Sequence, residues 1–159
     1  QDTVVRALSL LGGDDFEVWF AGVGVRQPVV SEMAVSLGVA DRVRFLGMRT
    51  DVPRVLKAAD IIVMSSHWEG LSLSNIEGMS AGRPFISSDV NGLREVTKGY
   101  GLLFPEGDAA ALAALLTRLR TDAAFYQSVA ESCYGRARQY DIKDTAAKYD
   151  AVYRALMEE

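Results

Sequence analysis

Chemistry concentrates in residues 65–82, which read Ser-Ser-His-Trp-Glu-Gly-Leu-Ser-Leu-Ser-Asn-Ile-Glu-Gly-Met-Ser-Ala-Gly. An all-apolar run, Ile61-Ile62-Val63-Met64, precedes them, and a helical pattern expected from Asn75 to Ala81 follows. Small residues from Gly70 to Asn75 thus bring free backbone N–H groups to a helix N-terminus, where unpaired amides and the helix dipole favour a phosphate. Two acids flank this stretch, Glu69 at the strand end and Glu77 in the expected first helical turn. A carboxylate accepts two hydroxyls of a ribose or hexose at once. It would also repel a diphosphate, which leaves phosphates to the amides between the acids. That division of labour suits a nucleotide sugar.

Plainer readings stand beside this one. Ser74-Asn75-Ile76-Glu77 matches a capping box, in which Glu77 would only satisfy donors at the helix start. Glu69 has no such alternative beyond being an exposed loop glutamate. His67 and Trp68 are a general base and a sugar-stacking aromatic, or simply loop packing. Cys133 sits in a helical pattern far from the loops and reads as buried filler.

Two further segments follow strand-like runs. Gly22-Val23-Gly24 comes after Val18-Trp19-Phe20-Ala21, but a dinucleotide fingerprint needs a third glycine where Gln27 stands, and Pro28 follows. A nicotinamide or flavin site is therefore disfavoured. A tight turn and a close backbone approach to a ligand both remain open for these glycines. The stretch Asp89-Val90-Asn91-Gly92-Leu93-Arg94-Glu95-Val96 reads either as a loop closing over a ligand, with Glu95 near its mouth, or as a turn and a capped helix.

These segments need a scaffold, and the pattern supplies one. Strands are expected at Val18–Ala21, Val43–Leu46, Ile61–Met64, Pro84–Ser87 and Leu102–Phe104. The all-apolar third run suits a strand buried on both faces. Helices lie between them: Val4, Leu8 and Leu11 share a face, and Val29, Met33 and Leu37 recur before Gly38. Asp51-Val52-Pro53 reads as a cap and first turn. Asp108, Asp122 and Asp141 open three helices that finish the chain, and Glu158-Glu159 reads as a solvated tail. This alternation gives an α/β class, a three-layer, doubly wound parallel sheet. Ligands in such sheets bind beyond the carboxyl ends of the strands.

Composition agrees. The 159 residues are 49% hydrophobic and carry 17 Lys and Arg against 21 Asp and Glu, a formal charge of -4, which argues against nucleic acid as a partner. One cysteine and one histidine exclude a disulfide and a multi-histidine metal centre. No apolar run approaches the ~20 residues of a membrane span, so a soluble, cytoplasmic domain is expected.

The motifs together resemble the C-terminal, donor-binding domain of family 4 (group 1) retaining glycosyltransferases of the GT-B fold. The resemblance rests on Phe20-Ala21-Gly22-Val23-Gly24, Asp41-Arg42-Val43-Arg44-Phe45-Leu46-Gly47, Asp51-Val52-Pro53 with Ala58-Ala59-Asp60, and the two glutamates with seven residues between them. Ala81-Gly82-Arg83-Pro84, Gly92-Leu93-Arg94-Glu95-Val96, Gly101-Leu102-Leu103-Phe104 and Gly107-Asp108 complete the series in order. The resemblance implies that Glu69 approaches the donor sugar's hydroxyls and that the amides of Gly70, Leu71, Ser72 and Leu73 receive the diphosphate. It assigns Glu77 to the ribose, the loop at Gly47 and Met48 to the base, and Gly22 and Gly24 to the glycine loop. The implied reaction moves a sugar from a nucleoside diphosphate to an acceptor hydroxyl with retention and with no metal or other cofactor. The family's part in building surface polysaccharides and glycolipids implies a lipid-linked or oligosaccharide acceptor and a peripheral membrane association through another domain.

There are two departures from the family pattern. Ser72 replaces a glycine, so its backbone should avoid positive φ, and its hydroxyl is a further donor for a phosphate. The family's donor domain also begins with a central strand and a loop bearing an Arg and a Lys, whereas Gln1-Asp2-Thr3 matches the helix that follows them. A sheet lacking its first strand, within a larger enzyme that also has an acceptor-binding N-terminal domain, is therefore expected. The isolated chain should be inactive. Residues 141–159 should form a helix that packs back on this domain or toward the N-terminal one. A non-catalytic nucleotide-binding module, and an interaction domain that has lost its site, are the alternatives.

Overall fold

A computed structural model describes residues 1–13 and 15–157; the Glu158-Glu159 tail lies outside them. In chain order they form α1 (Asp2–Leu10), β1 (Val18–Ala21), α2 (Gln27–Ser36), β2 (Val43–Gly47), α3 (Val52–Ala58), β3 (Ile62–Met64) and α4 (Leu73–Ser80). There follow β4 (Phe85–Ser88), α5 (Leu93–Thr97), β5 (Leu102–Phe104), α6 (Ala109–Thr121), α7 (Ala123–Ala137) and α8 (Ile142–Met157).

Local signals explain most boundaries. Asp108 and Asp122 cap α6 and α7, accepting from the amides of Ala111 at 2.8 Å and Phe125 at 2.9 Å. Gly38, at φ +70°, ends α2 in the left-handed region that a side chain would resist. Asp51 stands at the N-cap of α3 but does not cap it. Both its oxygens are taken by Arg49, at 2.8 Å each, a charge-assisted fork that outcompetes a neutral amide.

The architecture is α/β with parallel strands, and the sheet is divided between β1 and β3, in keeping with the expected lack of a central strand. β1 pairs with β2, Val18 opposite Val43 and Phe20 opposite Phe45, and those two rings stack at 5.5 Å. β3, β4 and β5 form a second parallel sheet in that order. β1 and β3 do not pair with each other. Each leaves an edge on a shared cavity of about 1450 Å³, lined by apolar side chains including Val4, Leu8, Val18, Phe20, Ile62 and Leu116.

This division corrects the burial expected of the third strand. β3 has a neighbour on one side only and is half-buried beyond Ile62, whereas β4, flanked on both sides, is buried at every position including Ser87 and Ser88. The main core gathers on β4, with Phe85, Ile86, Met79, Phe104, Leu112 and Leu119 almost wholly excluded from solvent. α8 stands apart, with no buried residue.

Cys133 lies within this core with its Sγ 3.6 Å from the Tyr100 carbonyl oxygen, and burial pushes its thiol up to about 11. Only the thiolate reacts, so at pH 8 native Cys133 should resist a soluble disulfide reagent and be labelled promptly once urea unfolds the chain. Absorbance of the released thiolate checks both rates.

Candidate functional site

The carboxyl ends of the strands face the divide between the sheets. Gly22 and Val23 after β1, Met48 and Arg49 after β2, residues 65–68 after β3, and Ser74 and Glu77 of α4 all line the one cavity. Glu69, Gly70, Leu71, Ser72, Leu73, Gly24 and Gly47 do not line it; the first five continue the wall from Trp68 round to α4.

The two glycine loops are joined. Gly22 N–H donates to the Gly47 carbonyl at 2.8 Å, with Gly22 at φ +119° and Gly47 at φ +65°. A side chain at either position would strain the backbone, which meets the turn requirement for Gly22. Gly24 has no positive φ and open space around its Cα.

α4 departs from the expected start. Ser72 is its N-cap, at φ -85° and ψ 112°, and its carbonyl accepts from the amides of Asn75 at 3.2 Å and Ile76 at 3.5 Å. Ser74 is already helical, so the capping box does not form. Glu77 lies in the second turn, too far along to reach back to the start, and is exposed. The residue three past the cap is Asn75, which turns into the core instead. Its Nδ2 donates to the Leu93 carbonyl at 3.4 Å and to Thr97 Oγ1 at 3.3 Å, and Ser87 Oγ donates to the same Thr97 oxygen at 3.2 Å. The negative φ at Ser72 agrees with the expectation for a serine in place of glycine, though its hydroxyl does not cap the helix. The first amides of α4, at Leu73 and Ser74, belong to the group that a helix leaves unpaired.

Glu69 is half-buried, and Ser66 Oγ donates to its Oε1 at 2.9 Å. His67 Nδ1 meets the Glu106 carboxylate beyond β5, and Trp68 is 77% exposed, free to meet a ligand face. Two cations that no sequence motif marks also stand here. Arg26 pairs with Asp2 at 2.6 Å and Arg49 with Asp51, both at the cavity wall. Their only signal was position, on the two loops that end β1 and β2. Arg49 holds the Asp51 carboxyl below its usual range by hydrogen bonding. Such exposed pairs are worth at most about 1 kcal/mol, so an incoming anion can compete for either guanidinium. Among the described residues no three His, Cys, Asp or Glu side chains converge as a metal site.

Parallel strands ending at a loop-lined cavity, with open helix amides between two acids, define a Rossmann-like half of the GT-B class. The family model of glycosyl transferases group 1 matches residues 1–122, and the chain belongs to that family. It is 30% identical over 135 residues to the lipopolysaccharide core biosynthesis mannosyltransferase LpsB of Rhizobium meliloti, covering 80% of this chain and 38% of that protein. It is 32% identical over 138 residues to the D-inositol 3-phosphate glycosyltransferase of Salinispora tropica, covering 84% of this chain and 29% of that protein. The chain thus spans well under half of these relatives. In fold it is similar to Anabaena HepE solved with UDP, with a TM-score of 0.90 at 22% identity over 98% of this chain and 45% of that one. Sucrose-phosphate synthase of Thermosynechococcus elongatus gives a TM-score of 0.86 at 25% identity over 99% of this chain and 42% of that one.

Because Glu77 caps nothing, Glu77→Ala should change unfolding free energy by less than about 0.5 kcal/mol. Asn75→Ala, which strips a buried partner from Thr97, should cost about 1–3 kcal/mol. Urea denaturation of both variants tests the contrast.

Proposed function

We propose that this chain is the donor-binding part of a glycosyltransferase that moves a sugar from a nucleoside diphosphate to an acceptor hydroxyl with retention. The observation that carries the reading is Glu77: exposed on the second turn of α4, it has no capping duty and looks onto the cavity where the strand-end loops meet. Glu69 accepts hydroxyls of the sugar, and the amides of Gly70, Leu71, Ser72 and Leu73 receive the diphosphate. Glu77 takes the ribose, and the joined loops at Gly22, Gly24, Gly47 and Met48 bound the base. The anomeric carbon loses its bond to the diphosphate oxygen and gains one to the acceptor oxygen, while the acceptor's proton leaves toward the departing phosphate or solvent. Positioned amides stabilise the charge growing on that leaving group, and Arg26 and Arg49 stand at the wall of the same cavity. No metal is required in this scheme.

Family membership supports the transferase class, and the HepE structures with UDP and with UDP-glucose support a uridine donor as the first to test. LpsB, named for lipopolysaccharide core biosynthesis, supports a cell-surface glycan or glycolipid as the acceptor class and a cytoplasmic, membrane-peripheral setting. None of the helices among the described residues is long and apolar enough to cross a membrane. The acceptor is held by a separate N-terminal domain, and the exposed Ile142, Tyr149, Val152, Tyr153 and Leu156 of α8 support packing of that helix on it.

Calorimetric titration with UDP, GDP and ADP should give one binder, and Glu77→Ala should weaken it about ten- to a hundredfold, the loss expected for hydrogen bonds to a charged group. No binding by any of the three, with Glu77→Ala silent throughout, would defeat the reading. The two-domain enzyme should transfer sugar with its rate unchanged by EDTA, and Glu69→Gln should lower that rate by about tenfold or more. The 159 residues alone should transfer none. Turnover by the isolated chain would remove the case for a separate acceptor domain.

A further inference from the structure

The Glu69 carboxylate is aimed by its own loop. Ser66 Oγ donates to Glu69 Oε1 at 2.9 Å, which leaves the second carboxylate oxygen open to substrate hydroxyls. Ser66 is in turn fixed from the neighbouring strand: Ser88, the last residue of β4 and 1% exposed, donates its Oγ hydrogen to the Ser66 carbonyl at 2.5 Å. Ser66 lies past the end of β3 and before α4, so these bonds do not belong to a helix or a ladder.

A second contact holds the main chain. Gly92, the N-cap of α5, is buried at φ +81°, and a Cβ there would overlap the carbonyl oxygens of both Glu69 and Gly70. The turn that carries Gly92 is braced by the amide of Val90 donating to the Ser88 carbonyl at 2.9 Å and by Arg94 clasping Asp89. Both supports therefore root in Ser88. Its side chain reaches Ser66, and its main chain begins the turn that presses Gly92 against the loop.

We infer that Ser66 is the positioning residue for the Glu69 carboxylate and that the Gly92 main chain is the stop that sets the Glu69–Gly70 backbone. The inference rests on Glu69 facing the donor sugar. A glutamate has three side-chain torsions to fix, and the Ser66 hydroxyl removes that freedom before substrate arrives. Loss of the hydroxyl leaves the nucleotide contacts intact and loosens only the sugar contact.

The test uses the two-domain enzyme with whichever of UDP-, GDP- or ADP-glucose or -mannose it turns over, and the matching nucleoside diphosphate as a competitive inhibitor. Ser66→Ala should lower kcat/KM for the donor about five- to tenfold, the loss expected for one such hydrogen bond. The inhibition constant of the diphosphate and the Tm should stay at their original values. Ser66→Thr, which keeps the hydroxyl, should recover most of the loss. Gly92→Ala should shift the same donor-to-diphosphate ratio and also lower Tm. Glu69→Gln run in parallel separates the two claims. If Glu69→Gln is impaired while Ser66→Ala matches the original enzyme, or if Ser66→Ala weakens donor and diphosphate equally, the positioning role is overturned. If Glu69→Gln itself has no effect, the assignment of Glu69 to the sugar fails instead.

Discussion

The acid-bearing side of the candidate site depends on how closely α4 lies against β3 and β4. Gly78 makes that approach possible: a Cβ on it would sit 2.7 and 2.9 Å from Phe85 ring carbons and 3.2 Å from Ile62. Glycine in a helix interior costs about 1 kcal/mol relative to alanine, a cost outweighed here by the packing it permits. Asn75, Gly78 and Met79 are the buried stripe of α4, three and four residues apart. Helical geometry then leaves Ser74 and Glu77 facing away from the core. One flush contact thus fixes where the acid points and where the open amides begin.

Strong local signals made much of the fold legible. The strand runs, the aspartates that cap α6 and α7, and Gly38 after α2 act within a few residues, so the sequence alone carries them. Signals that depend on partners were harder to read. Asn75 counts as polar in any periodic pattern, yet Thr97 and Ser87 satisfy it inside the core. The apolar pattern of α4 therefore starts late in the sequence, and a capping box at Ser74-Asn75-Ile76-Glu77 fits it locally, whereas the N-cap is Ser72. Ser87 and Ser88 likewise carry no apolar signal, though both are buried in β4. Glu69 and Glu77 were visible from chemistry and spacing, and the family motifs agreed. Arg26 and Arg49 were not, because which guanidinium meets the cavity depends on how each loop turns. No pattern within a strand reports whether it has neighbours, so the divided sheet was legible only through the resemblance, which implies a sheet lacking a central strand.

Two sets of exposed apolar groups share a place in the fold. Met48, Trp68, Leu71 and Leu73 are 66–77% exposed around the strand ends, and a second group runs along α8. Apolar surface at strand ends is a common mark of a place where something binds. The candidate site thus combines amides and carboxylates with apolar groups around them.

The divided sheet has a mechanical consequence for that site. Gly22 and Met48 follow strands of one hydrogen-bonded ladder, whereas Glu69 and Glu77 are carried by the other. Hydrogen bonds between strands resist sliding and separation because each has a fixed length, but no such bonds bridge β1 and β3. A strand seated between β1 and β3 would pair with both of these edges. It would then be the element that sets the span between the loops assigned to the base and the acids assigned to ribose and sugar.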